Sequence, residues 1–417
     1  MRKEYKVRRY DYDRRRQKRN RTLRTVLLVI LIAGACAAGW LLYKPVSAWL
    51  QKESNSYAER RQEQLRQQEQ QRQEQQEQQN TPVGSPDEPD EPSVPADSTF
   101  PKKTATLAAG ELADIAALEG RLQELAAAGY DGILFDLKDD AGQVLYQSAI
   151  ETVTGNPKQT AARYDLTALI AAAEKTGLTP VGRMVAFRDG TAGRMLKNGT
   201  VKYNYTETNW LDNAADAGGK SWLNPNSGEA QEYILSLLDE AAKQGLRCIV
   251  LDGIQFPTGY SLELATYGPK GTVVDRSTVL AAFVMRATTA MRQQGCAVWA
   301  SLKISNLITA GGCYGDTPEA LLAAGTDYFV LDITPEQLLA RREVMPQQPY
   351  ERVHTALEQL LGDREDDSFY WVAAVQGYAP AAAIWPYEIP FGESQINDQI
   401  HAARDYDALG IIVDTVR

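Results

Sequence analysis

Apolar and polar positions divide this chain into two regimes. From about residue 100, apolar residues recur at helical spacing, stop at a glycine, and give way to a short unbroken run of Ile, Leu, Val or Phe. GYDGILFDLKDD (129–140) and GLRCIVLDGIQFP (245–257) are the clearest cases. Glycine accepts the left-handed conformation that ends a helix, and an apolar run without alternation suits a strand buried on both faces. The same phrase begins at residues 125, 173, 241, 292, 322, 360 and 406, which makes seven helix-to-strand units. KKTATLA (102–108) adds an opening strand and brings the count to eight. Asn224-Pro225 and Thr317-Pro318 read as helix starts, a capping side chain before a proline. Strict alternation predicts a parallel sheet, and eight repeats suit an α/β chain closed as a (β/α)8 TIM barrel over residues 100–417. An open doubly wound sheet is the alternative, but no GxGxxG or GxxxxGK[ST] follows any strand.

The first hundred residues follow other rules. Residues 1–24 hold twelve Lys or Arg against three acids, while the whole chain carries −10. The next segment, 25–43 (TVLLVILIAGACAAGWLLY), is about long enough to cross a bilayer as a single-pass transmembrane helix. The positive-inside bias keeps the basic tail cytoplasmic and sends the rest outward, so membrane contact through 25–43 is expected and nucleic acid is not. A cleaved signal peptide is the rival reading. Residues 44–79 form a Gln/Glu/Arg-rich stalk with no coiled-coil seam, and 80–99 a Pro- and acid-rich spacer.

Chemistry in a barrel gathers at the carboxyl ends of its strands. Those positions are Asp136, Lys138 and Asp140 on and after the second strand, Arg183 on the third, and Asp252 and Gln255 on the fourth. Lys303 ends the fifth, Asp332 the sixth, Gln376 the seventh and Asp414 the eighth. Lys138, Asp139 and Asp140 are alternatively an ion-pair cluster closing the barrel end. Long loops after the third and seventh strands carry Trp210, Trp222, Tyr378 and Trp385, whose faces suit sugar rings or the packing of their own loops.

The two histidines, His354 and His401, fall inside helical patterns, which leaves no base for a Ser-His-Asp triad and no His-based metal site at the mouth. Carboxylates remain. Glycoside hydrolysis needs two of them, and Asp252 is the expected acid/base, with Asp136 or Asp332 as partner. No cofactor or metal is called for, and the expected partner is a polysaccharide or glycan. The oligomeric state stays open.

Three segments also resemble a known family. ILFDLKDDAGQVLY, GRMVAFRDG and SWLNPNSGEAQEYILSLLDEAAKQGLRCIVLDGIQFP are similar, in order and spacing, to motifs of a glycoside hydrolase-like (β/α)8 barrel family of membrane-anchored or secreted bacterial proteins. The resemblance implies a site built from Asp136, Lys138, Asp139, Arg183, Asp252 and Gln376, and an outward-facing hydrolase of cell-surface or wall polysaccharide. This chain departs from the family at Gly253 and Gln255, where a Tyr and an Arg are usual, and at Lys303, where an acid is usual. A non-catalytic carbohydrate-binding or envelope scaffold with the same barrel stays open as the alternative.

Overall fold

The computed structural model describes residues 100–204, 206–269, 274–304, 307, 321, 328–334, 349–362, 369–379 and 391–415. The tail, the apolar run 25–43, the stalk and the spacer lie outside the described residues. No helix among the described residues is long and apolar enough to cross a membrane.

Eight parallel strands close a barrel. They are β1 (Lys103–Thr106), β2 (Gly132–Lys138), β3 (Thr179–Val185), β4 (Cys248–Asp252), β5 (Ala297–Lys303), β6 (Tyr328–Asp332), β7 (Tyr370–Gln376) and β8 (Gly410–Asp414). Closure is direct: β1 pairs with β8 through Lys103↔Ile411 and with β2 through Thr104↔Gly132. Among the described residues the covering helices are α1 (Ile115–Ala127), α2 (Leu166–Lys175), α3 (Gly228–Lys243), α4 (Arg276–Arg292), α5 (Pro349–Leu361) and α6 (Glu393–Arg404). This is the (β/α)8 arrangement that the alternation predicts.

Each strand buries both faces, which is why its run shows no alternation. Leu134, Val181, Val250, Trp299, Val330, Val372 and Ile412 fill the interior, and the Phe100 ring meets Trp299 edge-on at 4.9 Å. Ile133, Leu137, Ile249, Leu251 and Leu331 pack with the helices in a second core. Each such side chain contributes about 1.5–3 kcal/mol by leaving water. With the interior filled by side chains, polar residues first occur where the apolar runs stop, at the carboxyl ends.

Helix ends follow the sequence signals at most positions. Asp114, Asp165 and Asp275 cap α1, α2 and α4 through their carboxylates. Gly129, Gly177, Gly245 and Gly295, which follow α1 to α4, all have positive φ. The start of α3 is a correction. Ser227 caps it, three residues past the expected Asn224, whose side chain instead accepts the Asn226 amide at 3.0 Å in the preceding turn.

The long loop after β3 builds a small lobe with the loop after β4. Lys202–Tyr203 pairs antiparallel with Ala265–Thr266, over a core of Val201, Trp210 and Trp222.

Candidate functional site

A cavity of about 200 Å³ opens at the carboxyl ends of the strands. Asp136 (β2), Arg183 (β3), Asp252 (β4), Asp332 (β6) and Asp414 (β8) line it, joined by Asp140 from the turn after β2. Thr106, Ser301 and Thr334 add hydroxyls, and Leu134, Val250, Val330 and Ile412 form the apolar base.

Arg183 is the hub. It faces Asp136 in the β2/β3 register, and its guanidinium reaches three carboxylates. Nε donates to Asp136 Oδ1 at 2.9 Å, Nη2 lies 2.7 Å from Asp140 Oδ2, and Nη1 lies 3.4 Å from Asp252 Oδ2. A planar fork of fixed donors suits this bridging in a way a single ammonium does not. Arg188 adds a contact to Asp140 at 3.2 Å. Burial works against the Arg183 charge, but Asp136, Asp252, Asp140 and Asp414 outweigh it and hold the guanidinium above its ordinary value.

Burial also pushes the Asp136 carboxyl from 3.8 up to about 6; Arg183 pulls it back, while Asp140, Asp139 and Asp252 add to the rise. Asp252 accepts the Gly253 amide at 2.7 Å on its other oxygen. Asp332 Oδ1 accepts both the amide (3.1 Å) and the hydroxyl (2.8 Å) of Thr334. The Thr106 hydroxyl donates to Asp414 Oδ1 at 3.3 Å.

The raised Asp136 value has a consequence for stability. The unfolded carboxyl titrates near 3.8 and the folded one near 6, so the folded state keeps this proton to higher pH. The stability contributed by this group is complete below the lower value and is lost as pH rises through the upper one. Asp136→Asn is therefore expected to unfold at higher urea than the wild type at pH 7.5 and at the same urea below pH 4. Urea melts at the two pH values check this.

Several expected site residues stand elsewhere. Lys138 is the main correction. The β2/β3 register runs to Asp136↔Arg183 and then slips, so that Lys138 pairs with Met184. This bulge turns the lysine away from the cavity. Its ammonium donates to Val185 O (2.7 Å) and Ala186 O (3.1 Å) and pairs with Asp189 at 3.1 Å, with both side chains fully buried. Asp189 in turn accepts the Thr191 and Ala192 amides and so fixes the start of the long loop. Gly142 lies against it with φ +87°, and a Cβ there would sit 2.1 Å from Asp189 Oδ1. Asp139 caps its own turn, accepting the Ala141 and Gln143 amides. No single ion-pair cluster of residues 138–140 forms: Lys138 takes Asp189, while Asp140 takes Arg183 and Arg188.

Trp210 and Trp222 are buried and pack their own lobe, with indole nitrogens bonded to Ser261 O (3.1 Å) and Asp212 Oδ2 (3.0 Å). They offer no face to a ligand. Gln376 is buried against Gln399, and its Nε2 donates to Tyr378 O at 3.1 Å. Gln255, Lys303 and Tyr378 are half-buried and are not among the residues lining the cavity, although Lys303 stands beside Asp332 in register. Trp385 lies outside the described residues. Asp189, Thr106 and Ser301 were not singled out from sequence. Asp189 could have been, because it follows an apolar strand within RDG as Asp140 follows β2.

Among the described residues no group of three or more His, Cys, Asp or Glu is arranged to hold a metal ion. The arrangement places at the barrel mouth a carboxyl whose hold on its proton is raised by burial, with further carboxyl groups on the same guanidinium.

Residues 107–413 match the model of a family described as "Putative glycosyl hydrolase domain". No curated protein matches the chain. Similar solved structures include a glycoside hydrolase family 20 beta-N-acetylglucosaminidase, at 11% identity and TM-score 0.46 over 75% of this chain and 63% of that one. An alpha-L-fucosidase isoenzyme from Paenibacillus thiaminolyticus matches at 12% identity and TM-score 0.48, over 76% of this chain and 46% of that one. A hypothetical protein from Ruminiclostridium thermocellum matches at 20% identity and TM-score 0.40, over 47% of this chain and 96% of that one. The chain thus spans less than two thirds of each of the two enzymes, and none of the three likenesses bears on the site.

Proposed function

Because the chain belongs to the family described as "Putative glycosyl hydrolase domain", we propose that its barrel hydrolyses glycosidic bonds in a cell-surface or cell-wall polysaccharide, with Asp136 as proton donor and Asp252 as the ionised partner. The observation that carries this reading is that one guanidinium holds both carboxylates at the barrel mouth, while burial lifts Asp136 to about 6. A donor must hold its proton near working pH, and its partner must carry charge to meet the developing oxocarbenium ion. Asp252 receives Arg183 on one oxygen and the Gly253 amide on the other. This reverses the expectation that Asp252 is the acid.

Two contacts to the same guanidinium leave the Asp136 and Asp252 oxygens at most about 9 Å apart, which respects the upper limit of about 9.5 Å for carboxyl pairs that cleave glycosides. The cation that meets Asp252 comes from Arg183 on β3, the neighbouring strand. Asp332, fixed by Thr334, is assigned to hold substrate hydroxyls. In this reading residues 25–43 tether the protein, with the amino terminus cytoplasmic and the barrel outside.

The test offers the purified full-length protein a panel of wall and storage glycans and measures new reducing ends. Wild-type release is expected to fall as pH rises through about 6, where the donor loses its proton. Asp136→Asn and Asp252→Asn are each expected to lower it by roughly 10²- to 10⁴-fold. Release unchanged in both variants overturns the assignment. Binding without release from any glycan points to a non-catalytic carbohydrate-binding scaffold.

A further inference from the structure

Tyr260 lies eight residues beyond Asp252, on the loop that leaves the carboxyl end of β4. Its side chain is 68% exposed, the highest value for a large apolar residue among those described. Single exposed aromatics are ordinary. The backbone beneath this one is not. Gly259 has φ +133° and packs so closely on Asp212 that a Cβ would lie 2.4 Å from its carbonyl oxygen. Ser261 has φ +56°, and only it and Asp407 among the described non-glycine residues adopt positive φ.

The turn is also clamped from the neighbouring loop. The Tyr260 amide donates to Asp212 O at 2.9 Å, and the Trp210 indole donates to Ser261 O at 3.1 Å. Asp212 is itself held by the Trp222 indole and the Lys220 amide. A glycine that no other residue could replace, a serine held in the left-handed region and two buried tryptophans therefore fix the main chain on both sides of a ring that contributes nothing to the core. Strain retained at a surface position indicates a side chain whose placement matters.

We infer that Tyr260 is a stacking platform for a pyranose ring of the same glycan chain whose scissile bond lies between Asp136 and Asp252. An aromatic face takes the apolar C–H face of a sugar without needing charge, and a side chain with two rotatable bonds loses little entropy in doing so. Rigid support removes the ordering cost that a mobile loop would add. Tyr260 is not among the residues that line the cavity, so the platform serves a sugar unit beyond the one at the scissile bond, and the substrate class is an oligomer or polymer. This rests on the hydrolase reading.

The test uses the full-length protein in an Asp136→Asn background, which prevents turnover. Binding of cellohexaose, chitohexaose and xylohexaose is compared with that of the corresponding dimers, in the background alone and with Tyr260→Ala or Tyr260→Trp added. At least one hexamer is expected to bind more tightly than its dimer. Tyr260→Ala should lose about three- to tenfold of that advantage, while dimer binding and melting temperature stay unchanged. Tyr260→Trp should keep it. A full hexamer advantage in Tyr260→Ala overturns the platform but leaves the hydrolase reading standing. Dimer binding with no hexamer advantage in the background protein does the same. Absence of binding to every oligomer overturns the platform for these glycans, and the reducing-end assay then decides the hydrolase reading.

Discussion

Arg183→Leu is expected to lower glycan hydrolysis by at least about 10³-fold and to cost about 2–3 kcal/mol of stability at pH 7, with most of that stability loss gone at pH 4. The guanidinium contacts Asp136, Asp140 and Asp252 together. Without it three carboxylates share one small cavity with Asp332 and Asp414. Removing one partner of a buried pair typically costs about 3–5 kcal/mol because the other charge stays behind. The side chains of Asp136 (36%) and Asp140 (42%) keep contact with solvent, and that places the expectation below the full range.

The pH dependence follows from the same contacts. Arg183 lowers the Asp136 carboxyl, so its loss lets that carboxyl rise beyond about 6. The variant therefore takes up protons in the folded state at higher pH than the wild type does. Its deficit is greatest where the carboxylates are charged and shrinks as acid neutralises them. Arg183→Lys keeps the charge but loses the fork, and is expected to fall between. Urea melts at pH 7 and pH 4 with reducing-end assays check these statements. Equal deficits at both pH values would show that Arg183 acts by packing alone.

The second large effect lies just outside the cavity. Lys138→Met is expected to destabilise the barrel by about 3–5 kcal/mol, because it leaves the fully buried Asp189 carboxylate without its cation. It also strips the carbonyls of Val185 and Ala186 of a donor. The chain there joins β3 to the site: the Ala186 amide donates to Asp252 O at 2.7 Å, and the Phe187 amide to Gly253 O at 3.3 Å. Pairing Lys138→Met with Asp189→Leu removes both charges and is expected to recover part of the loss. A double-mutant cycle by chemical denaturation should show a coupling of about 1–3 kcal/mol. Additive losses would mean that the two side chains do not depend on each other.

These two residues show how far the sequence could be read. Asp136 and Arg183 are polar residues in the carboxyl-terminal halves of apolar runs on neighbouring strands, and the barrel rule brings them to one mouth. Asp252, Asp332 and Asp414 follow by the same logic, and all three line the cavity. Lys138 obeys that rule on paper and breaks it in space. A one-residue register slip is invisible in an apolar string, since Leu137 is apolar whichever face it takes. Trp210 and Trp222 mislead for a different reason. An aromatic in a long loop reads the same whether it faces solvent or its own loop, and only the Lys202–Tyr203 pairing with Ala265–Thr266 makes a core for them. Tyr260 was passed over because the strain that presents it lies in backbone angles.

The sequence by itself determined the barrel. Seven apolar runs and a short opening strand, separated by helical spacing and left-handed glycines, leave few ways to bury the strands on both faces, and closing the sheet is the one adopted. It also determined which carboxylates share a mouth, because a strand's end is a one-dimensional fact. The tertiary structure decided how strongly Asp136 holds its proton. That depends on burial and on which oxygens a single guanidinium reaches across three strands, quantities set by distance in space. The same holds for the first observation in the chain: GYDGILFDLKDD is a strand with charge at its end, but a bulge sends Asp136 into the cavity and Lys138 into the wall.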